Sequence, residues 1–146
     1  MLLHDRLIPG RGNIDHLTIA PGGVTIIDTK ASHGQITLSH SGGLLHARQQ
    51  LLLVNRRDRT RELDKLGRQR DAVTEILVRA GLGGVPVTTV LCYPYAGPRW
   101  GTLRTHTGIL ITRPRAAAKH ARRPGPLSAE QIQQTAKTLA RRLPRA

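Results

Sequence analysis

Aromatic residues are almost missing from this chain of 146 residues, which has no Phe and only Trp100, Tyr93 and Tyr95. Proteins that bind successive unpaired bases stack them on aromatic side chains, and too few are present here to build such a platform. The composition therefore argues against a protein that recognises single strands by stacking their bases.

Cysteine is equally scarce. Cys92 is the only one, which excludes an internal disulfide and any CxxC pair that could hold zinc. It lies in the apolar run 87–93, where a small buried side chain is a better interpretation than a nucleophile. No segment approaches the roughly 20 apolar residues of a membrane span, and the first residues lack the pattern of a signal peptide. We therefore expect a cytoplasmic protein without a membrane partner.

Negative charge is also in short supply, because nine Asp and Glu face 23 Lys and Arg and leave a formal net charge of +14. Such a balance does not define a fold, but it attracts polyanions over a long range. DNA is the expected partner and RNA the alternative. The competing interpretation is a general basic bias of the kind that GC-rich genomes encode.

The length of the chain allows one modest hydrophobic core with one functional site.

The spacing of apolar residues predicts strands in the first half of the chain and a helix in the middle. The helix is expected from Thr60 to about Ala80, with Asp58 or Thr60 as its cap. The remaining pattern predicts strands near residues 2–7, 14–20, 24–30, 35–39, 44–47, 49–54, 87–93 and 108–112, with a loop over 94–104. The strands 87–93 and 108–112 are apolar enough to be central in a sheet.

The last part of the chain differs in composition. Residues 113–123 are rich in Arg, Lys and Ala and are interpreted as a basic linker. Ser128 and Gln131 have the spacing of a capping box, which predicts a final helix with Ile132, Ala136, Leu139 and Leu143 on its apolar face. We expect this helix to be loosely docked. The chain thus divides into a core over 1–112 and a basic linker with a C-terminal helix over 113–146.

One predicted hairpin gathers charged side chains. A two-residue turn centred between Pro21 and Gly22 pairs residues whose numbers add to 43, so that Ile19 faces Val24 and Leu17 faces Ile26. The same register places Asp15 opposite Asp28 and Asn13 opposite Lys30. Because strand side chains alternate, both carboxylates and the lysine share one face. Opposed side chains have Cβ atoms only about 4.5–5.5 Å apart, so the two like charges need compensation.

A divalent cation would supply that compensation. Carboxylate oxygens suit Mg²⁺, which typically takes one or two protein carboxylates and completes its shell with water and phosphate. Lys30 would then orient the attacking water or stabilise charge on the phosphate. The alternative is a solvated end of a hairpin in which Lys30 neutralises one carboxylate. One more residue in the turn would also move Asp28 to the other face.

Residues 13–17 (NIDHL), 21–24 (PGGV) and 26–30 (IIDTK) resemble the nuclease-related domain called NERD, of the PD-(D/E)xK nuclease superfamily. The likeness extends over roughly residues 2–112 and includes segments 3–6, 42–45, 67–69 and 85–92. It implies an α/β fold with a mixed sheet, an α-β-β-β-α-β nuclease core and a site for Mg²⁺ or Mn²⁺.

The resemblance also implies roles for individual residues. Asp15 matches the first carboxylate of the superfamily motif, Asp28 the second acidic position and Lys30 the motif lysine. The backbone carbonyl of Thr29 is a further metal ligand in such sites. In related nucleases a glutamine on the following helix can approach the metal, which gives Gln69 a supporting catalytic role; the alternative is a core amide bonded to backbone.

The sequence departs from the family pattern at its start. Family members usually carry an N-terminal helix with a Glu before the first strand, whereas this sequence begins almost inside that strand. An absent helix would uncover apolar sheet surface, and we expect self-association or another segment to cover it. Arg11, Arg68 and Arg70 are the expected contacts to nucleic-acid phosphate, although a solvated helix face also accounts for the last two.

These observations lead to a divalent-metal-dependent nuclease that hydrolyses phosphodiester bonds of DNA, with Asp15 and Asp28 as metal ligands. The alternative is a catalytically inactive module of the same fold that binds nucleic acid through its basic surface. A third interpretation is an assembly domain whose charge is incidental.

Overall fold

The computed structural model describes residues 1–45, 49–98 and 101–146. These residues form a mixed α/β fold, as the sequence predicts. The strands are β1 (Leu2–Ile8), β2 (Gly12–Ala20), β3 (Gly23–Thr29), β4 (Gly34–Ser41), β5 (Gln49–Val54), β6 (Arg57–Asp58), β7 (Val87–Cys92), β8 (Ala96–Gly97), β9 (Leu103–Arg104) and β10 (Leu110–Thr112). The helices are α1 (Thr60–Arg79), α2 (Pro114–Ala121) and α3 (Ala129–Arg142).

The larger sheet has the strand order β1-β2-β3-β7-β10-β9, and a smaller one has the order β6-β5-β4-β8. The strands β3, β7 and β10 run parallel to one another, whereas β1, β2 and β3 form an antiparallel meander. The central positions predicted for β7 and β10 are confirmed. Helix α1 lies between β3 and β7 in the chain and provides a crossover of the kind that parallel strands require.

The predicted register of the β2–β3 hairpin is confirmed near its turn. Ile19 pairs with Val24 and Leu17 with Ile26, and the ladder continues as far as His16 and Ile27. It does not extend to the expected pair of Asp15 and Asp28 or to that of Asn13 and Lys30.

The physical reason lies in a local irregularity at Asp15, where β2 continues but its pairing with both neighbouring strands is interrupted. Ile14 and Leu17 are both buried in the main core although they are three residues apart, so strict alternation fails between them. The opposing position on β1 is disturbed as well, because Asp5 has a positive φ of 45°. Where the ladder stops, the side chain of Asp15 replaces a backbone carbonyl as the acceptor for β3: its Oδ2 accepts a hydrogen bond from Thr29 N at 3.1 Å.

Gly23, at the end of the hairpin turn, is expected to be intolerant of a side chain. Its φ is +109°, and an added Cβ would collide with the carbonyl oxygen of Pro86, which accepts a hydrogen bond from Val24 N at 2.8 Å. Gly23→Ala should therefore lower the free energy of unfolding by about 2 kcal/mol. Urea denaturation measures this loss. Gly84→Ala is the control, because a Cβ there meets nothing within 4 Å; equal losses in the two variants would contradict the argument.

Helix α1 begins and ends close to the predicted limits. The predicted cap at Asp58 or Thr60 is wrong, because the N-cap residue is Arg59 and it makes no side-chain cap hydrogen bond. Asp58 Oδ1 nevertheless accepts a hydrogen bond from Thr60 N at 2.8 Å and so satisfies a free amide of the first turn. The buried stripe faces the sheet and consists of Leu63, Leu66, Gln69, Ala72, Val73 and Leu77. This packing determines which side of α1 faces β3 and β7.

The linker predicted over residues 113–123 is wrong, because Pro114–Ala121 forms α2. Pro at the first helical position starts the helix, and small alanines let it approach the sheet closely. Ala117 packs with Val90, Cys92 and Leu110 in a second core cluster on the sheet face opposite α1. This segment therefore covers apolar side chains of β7 and β10.

Helix α3 also differs from the expectation. Its capping box of Ser128 and Gln131 is confirmed. However, Ala136, Leu139 and Leu143 are buried in the main core, and α3 contacts both α1 and β2. The expectation of a loosely docked helix was wrong, because these three side chains complete the core.

Two smaller predictions also need correction. Leu44 and Leu45 form a turn with exposed side chains and do not begin a strand, and the rest of the strand expected over 44–47 lies outside the described residues. The loop expected over 94–104 contains the short strands β8 and β9. Among the described residues, no helix combines the length and apolar character needed to cross a membrane.

Candidate active site

The charged residues of the hairpin lie where the parallel strands β3 and β7 end. Asp28 is the last but one residue of β3, and Lys30 follows the strand and donates its backbone N–H to the carbonyl of Cys92 at 2.9 Å. Tyr93 follows β7 in the same way. The carboxyl ends of neighbouring parallel strands are a common place for ligands, because loops and side chains converge there.

Asp28 is the centre of the cluster and is only 1% exposed. Its Oδ2 lies 2.7 Å from Nζ of Lys30, and its Oδ1 lies 2.9 Å from Nζ of Lys65 on α1. A buried carboxylate is costly unless it is paired, and an ammonium group lies near each of its oxygens here. Only the contact of Lys65 with Oδ1 has the geometry of a hydrogen bond, and Oδ2 accepts none within the described residues. Apolar residues would fill this place at less cost, which points to a functional reason for the charges.

Asp15 joins the cluster from β2. Its hydrogen bond from Thr29 N ties it to the residue between Asp28 and Lys30, and its charge acts on the Lys30 ammonium. The structure thus brings together the three residues that the sequence singled out, although the backbone ladder stops one pair short of them.

The pKa of Lys30 is raised above its usual value. Burial alone would lower it, but the interactions with Asp28 and the charges of Glu62 and Asp15 together outweigh burial. Lys30 is therefore an ammonium group throughout the neutral range. It can donate hydrogen bonds and stabilise negative charge, but it is unsuited to accept a proton at neutral pH.

Helix α1 supplies a second half of the cluster, which sequence reasoning missed apart from Gln69. Glu62, Lys65 and Gln69 are spaced by three and four residues, so they share one face of the helix. Glu62 Oε2 accepts a hydrogen bond from the hydroxyl of Tyr93 at 2.6 Å. Burial, and then Glu62, raises the pKa of Tyr93 far above its usual value, so the phenol stays a donor that holds this carboxylate. The i, i+3, i+7 spacing was the available signal.

Gln69 is fully buried and acts on the strand that carries Asp15. Its Nε2 donates to the backbone carbonyl of Asn13 at 2.7 Å, two residues before Asp15. Its Oε1 has no hydrogen-bond partner in the described part of the chain. Gln69 therefore has the geometry of a core amide bonded to backbone, placed so that it also supports the position of Asp15.

The predicted phosphate-binding arginines lie on two sides of α1. Arg11 Nη1 donates to the backbone carbonyl of Arg68 at 3.4 Å, and Arg70 Nη1 donates to that of Thr107 at 2.7 Å. Arg68 and Arg70 line a groove of about 500 Å³. Arg70 is five residues beyond Lys65, or about 140° around the helix, so this groove lies away from Asp28. Arg11 lies in the β1–β2 turn, next to Gly12, which approaches Cε of Lys65.

The residues that the sequence predicts as metal ligands are Asp15, Asp28 and the carbonyl of Thr29. Within residues 1–45, 49–98 and 101–146, no group of three or more His, Cys, Asp or Glu is arranged to hold a metal. Two carboxylates are nevertheless a common complement for Mg²⁺, whose other ligands are waters and phosphate oxygens. The chemistry of the donors fits Mg²⁺ or Mn²⁺, provided that an ammonium group leaves one oxygen of Asp28.

A mixed sheet with a helical crossover, and a buried Asp28 paired with Lys30 at the strand ends, are consistent with a nuclease-like α/β fold. The model of the family described as NERD, nuclease-related domain, matches residues 1–94. Because this match covers well over half of the chain, the protein belongs to the nuclease-related domain family. No curated protein and no solved structure matches it.

Proposed function

We propose that this protein is a nuclease that hydrolyses phosphodiester bonds of DNA with the help of Mg²⁺ or Mn²⁺. The observation that carries the proposal is the buried Asp28 paired with Lys30 beside Asp15 at the ends of β3 and β7. The membership of the nuclease-related family supports it, and so does the net charge of +14, which favours a polyanionic substrate.

Each residue of the cluster has a role in this proposal. Asp15, Asp28 and the carbonyl of Thr29 would hold the cation, which when bound supplies Lewis acidity to the phosphate and lowers the pKa of water. Lys30 donates hydrogen bonds to the phosphate oxygens and stabilises the charge that develops on them. Gln69 holds the segment of β2 that carries Asp15, and Arg11 attracts the nucleic-acid backbone.

The proposal is tested by plasmid nicking. We expect the purified protein to nick supercoiled plasmid with Mg²⁺ or Mn²⁺ and to stop when EDTA is added. Lys30→Met should lower the rate roughly a hundredfold, because it removes the cation that meets the developing charge.

Lys137→Met is the matched control for this experiment. It removes the same charge from an exposed position on α3 and should leave the rate within about twofold, as expected for a surface site. Absence of nicking with both metals would overturn the enzyme proposal, and equal rates for the two lysine variants would remove Lys30 from the site.

A second candidate is a module that binds nucleic acid without cleaving it. The specific observation in its favour is that ammonium groups already hold both oxygens of Asp28, so that metal binding must compete with them. This candidate predicts DNA binding that weakens with salt and is indifferent to metal. Filter binding over a salt series, with Mn²⁺ and with EDTA, separates it from the nuclease.

A further inference from the structure

The acidic residues are unevenly distributed along the chain. Eight of the nine precede residue 76 and the ninth is Glu130, so the segment 76–129 has no carboxylate side chain. The same segment has eight Lys and Arg, and it includes the strands β7 to β10 and the helix α2. The positive charge of the protein is therefore least compensated around α2, to which the proposed reaction gives no role.

Helix α2 presents its cations to solvent. Arg115, Lys119 and Arg122 follow one another at intervals of four and three residues, so they share one side of the helix, and all three are exposed. Ala117 and Ala121 are buried. The three cations span about 10 Å along the helix axis, a length over which one strand of a duplex presents about three phosphates. Within the described residues, none of the three forms an ion pair.

Two adjoining grooves continue this charge along β10. Their volumes are about 550 and 660 Å³, and both are lined by Thr102, Thr112 and Ala116. The first groove also has Lys119, His120, Arg122 and Arg123 in its walls, and the second has Arg113 and Arg115. No carboxylate lines either groove. The groove of Arg68 and Arg70 is different, because Asp64 and Asp71 line it as well.

His120 shows that the potential in the first groove is positive. Burial lowers the pKa of this imidazole, and the charges of Arg123 and Arg104 lower it further. Arg104 belongs to β9, so the groove is flanked by cations from the sheet as well as from α2. An anion that entered the groove would meet favourable charge on both sides.

The chemistry of this surface suits the phosphates of nucleic acid better than a membrane. A helix that binds at a membrane surface inserts large apolar side chains. Among the described residues, the exposed side chains of that kind all precede residue 96 and so lie outside α2. Guanidinium groups bind phosphate through paired hydrogen bonds. The shortage of aromatic residues favours the backbone of a duplex over unpaired bases.

Helix α2 starts from the sheet edge at which the candidate active site lies. Thr112, the last residue of β10, pairs with Cys92, and Cys92 pairs with Thr29 beside Asp28. Arg113 follows directly and leads into α2. A backbone that follows the helix therefore reaches the carboxyl ends of the parallel strands.

We propose that Arg104, Arg115, Lys119 and Arg122 form a surface that binds the phosphate backbone of double-stranded DNA. The inference rests on the nucleic-acid substrate of the proposed function, but it does not depend on cleavage. It places the main contact with DNA on α2, on the sheet face opposite α1, and not in the groove of Arg68 and Arg70.

The first test measures the binding of a short DNA duplex over a salt series in EDTA, which prevents metal-dependent cleavage. The triple variant Arg115→Gln, Lys119→Gln, Arg122→Gln should lower the slope of log affinity against log salt by about 2–3, since each lost phosphate contact removes about 0.9. Affinity at 0.1 M salt should fall roughly a hundredfold.

The matched control removes three exposed cations from α3 by Lys137→Gln, Arg141→Gln and Arg142→Gln. It changes the net charge equally, also within a helix, and should leave the slope almost unchanged. Equal slopes for the two triple variants would overturn the inference. So would unchanged DNA binding together with lost binding to phosphatidylserine vesicles in the α2 variant, because the partner would then be a membrane.

The second test uses the wild-type protein and its four lysines, Lys30, Lys65, Lys119 and Lys137. The lysines are acetylated briefly with and without the duplex, in EDTA, and each site is quantified by mass spectrometry. DNA should protect Lys119 and leave Lys137 as reactive as before, since both are exposed in the free protein. Equal reactivity of Lys119 with and without DNA would contradict the proposal. This measurement decides the question if the α2 variant does not fold.

These results are distinguishable from those that test the nuclease. If wild type nicks plasmid but the α2 variant binds the duplex like the α3 control, the nuclease proposal stands and the DNA surface on α2 is wrong. If Lys119 is protected and the slope falls but no nicking occurs with either metal, the surface stands and the nuclease proposal fails. Failure of the wild-type protein to bind the duplex would overturn the surface, whatever the result of nicking.

Discussion

Asp28→Asn is expected to lower the rate of metal-dependent nicking about a thousandfold, at the upper end of the effect of removing one charge-stabilising group from an active site. The substitution keeps the shape of the side chain but removes the charge around which Lys30 and Lys65 gather. It removes a proposed metal ligand at the same time. Loss of Mn²⁺ binding in calorimetry should therefore accompany the loss of nicking.

The same substitution should cost less in stability than the loss of a fully buried ion pair, which is about 3–5 kcal/mol. Lys30 and Lys65 are 28% and 29% exposed, so each can turn toward water when its partner is gone. We expect a loss of about 1–2 kcal/mol in urea denaturation, which leaves the protein folded at 25 °C. Asp28→Asn should thus abolish most of the nicking activity while it lowers the free energy of unfolding only modestly.

Asp64→Asn is the matched control, because Asp64 is an exposed carboxylate on α1, one residue from Lys65. It changes the net charge by the same amount and should leave nicking within about twofold, as is usual for surface substitutions. Nicking by Asp28→Asn within tenfold of the wild-type rate would place the reaction elsewhere in the protein. Equal losses in the two variants would indicate a general effect of charge on DNA binding.

The hairpin half of this site was predictable because its determinants are local. The turn at Pro21 and Gly22 sets the register, and alternation along β3 places Asp28 and Lys30 on one face. The break at Asp15 was not predictable, since it depends on β1 and on a side chain that bonds to Thr29. Local sequence signals thus identified these residues of the site, whereas their relative positions depend on tertiary contacts.

The helical half could be read from the sequence only in part. Glu62, Lys65 and Gln69 have the spacing of one helix face, but their direction depends on how α1 rotates against the sheet. That rotation is fixed by the apolar stripe, which also contains Gln69. A polar stripe beside a buried one was thus a usable signal for Glu62 and Lys65, although it could not identify Asp28 or Tyr93 as their partners.

The prediction of a linker and a loosely docked helix after residue 112 was wrong because the composition of this segment is dominated by arginine and alanine. Such residues form amphipathic helices with little apolar signal, and only the fold shows that Ala117 and Ala121 are buried under the sheet. Arg123 anchors this segment further, because its Nη2 donates a hydrogen bond to the carbonyl of Gly22 at 2.6 Å. The connection between α2 and α3 is therefore bound to the same hairpin that carries Asp15 and Asp28.

Leu139→Ala is expected to lower the free energy of unfolding by about 3 kcal/mol. Leu139 is fully buried on α3, which packs against α1 and β2, and truncation would leave a cavity among rigidly held side chains. The loss should appear as a lower urea midpoint with an unchanged slope, because the same surface is exposed on unfolding.

The control is Lys137→Ala on the same helix, an exposed position where the change should stay within about 0.5 kcal/mol. A loss below about 1 kcal/mol in Leu139→Ala would mean that α3 is an appendage to the core, since buried Leu→Ala changes normally cost more. If the loss is as large as expected, α3 belongs to the folding unit. Because α3 contacts both β2 and α1, it then also supports the two elements that bring Asp15 and Lys65 to Asp28.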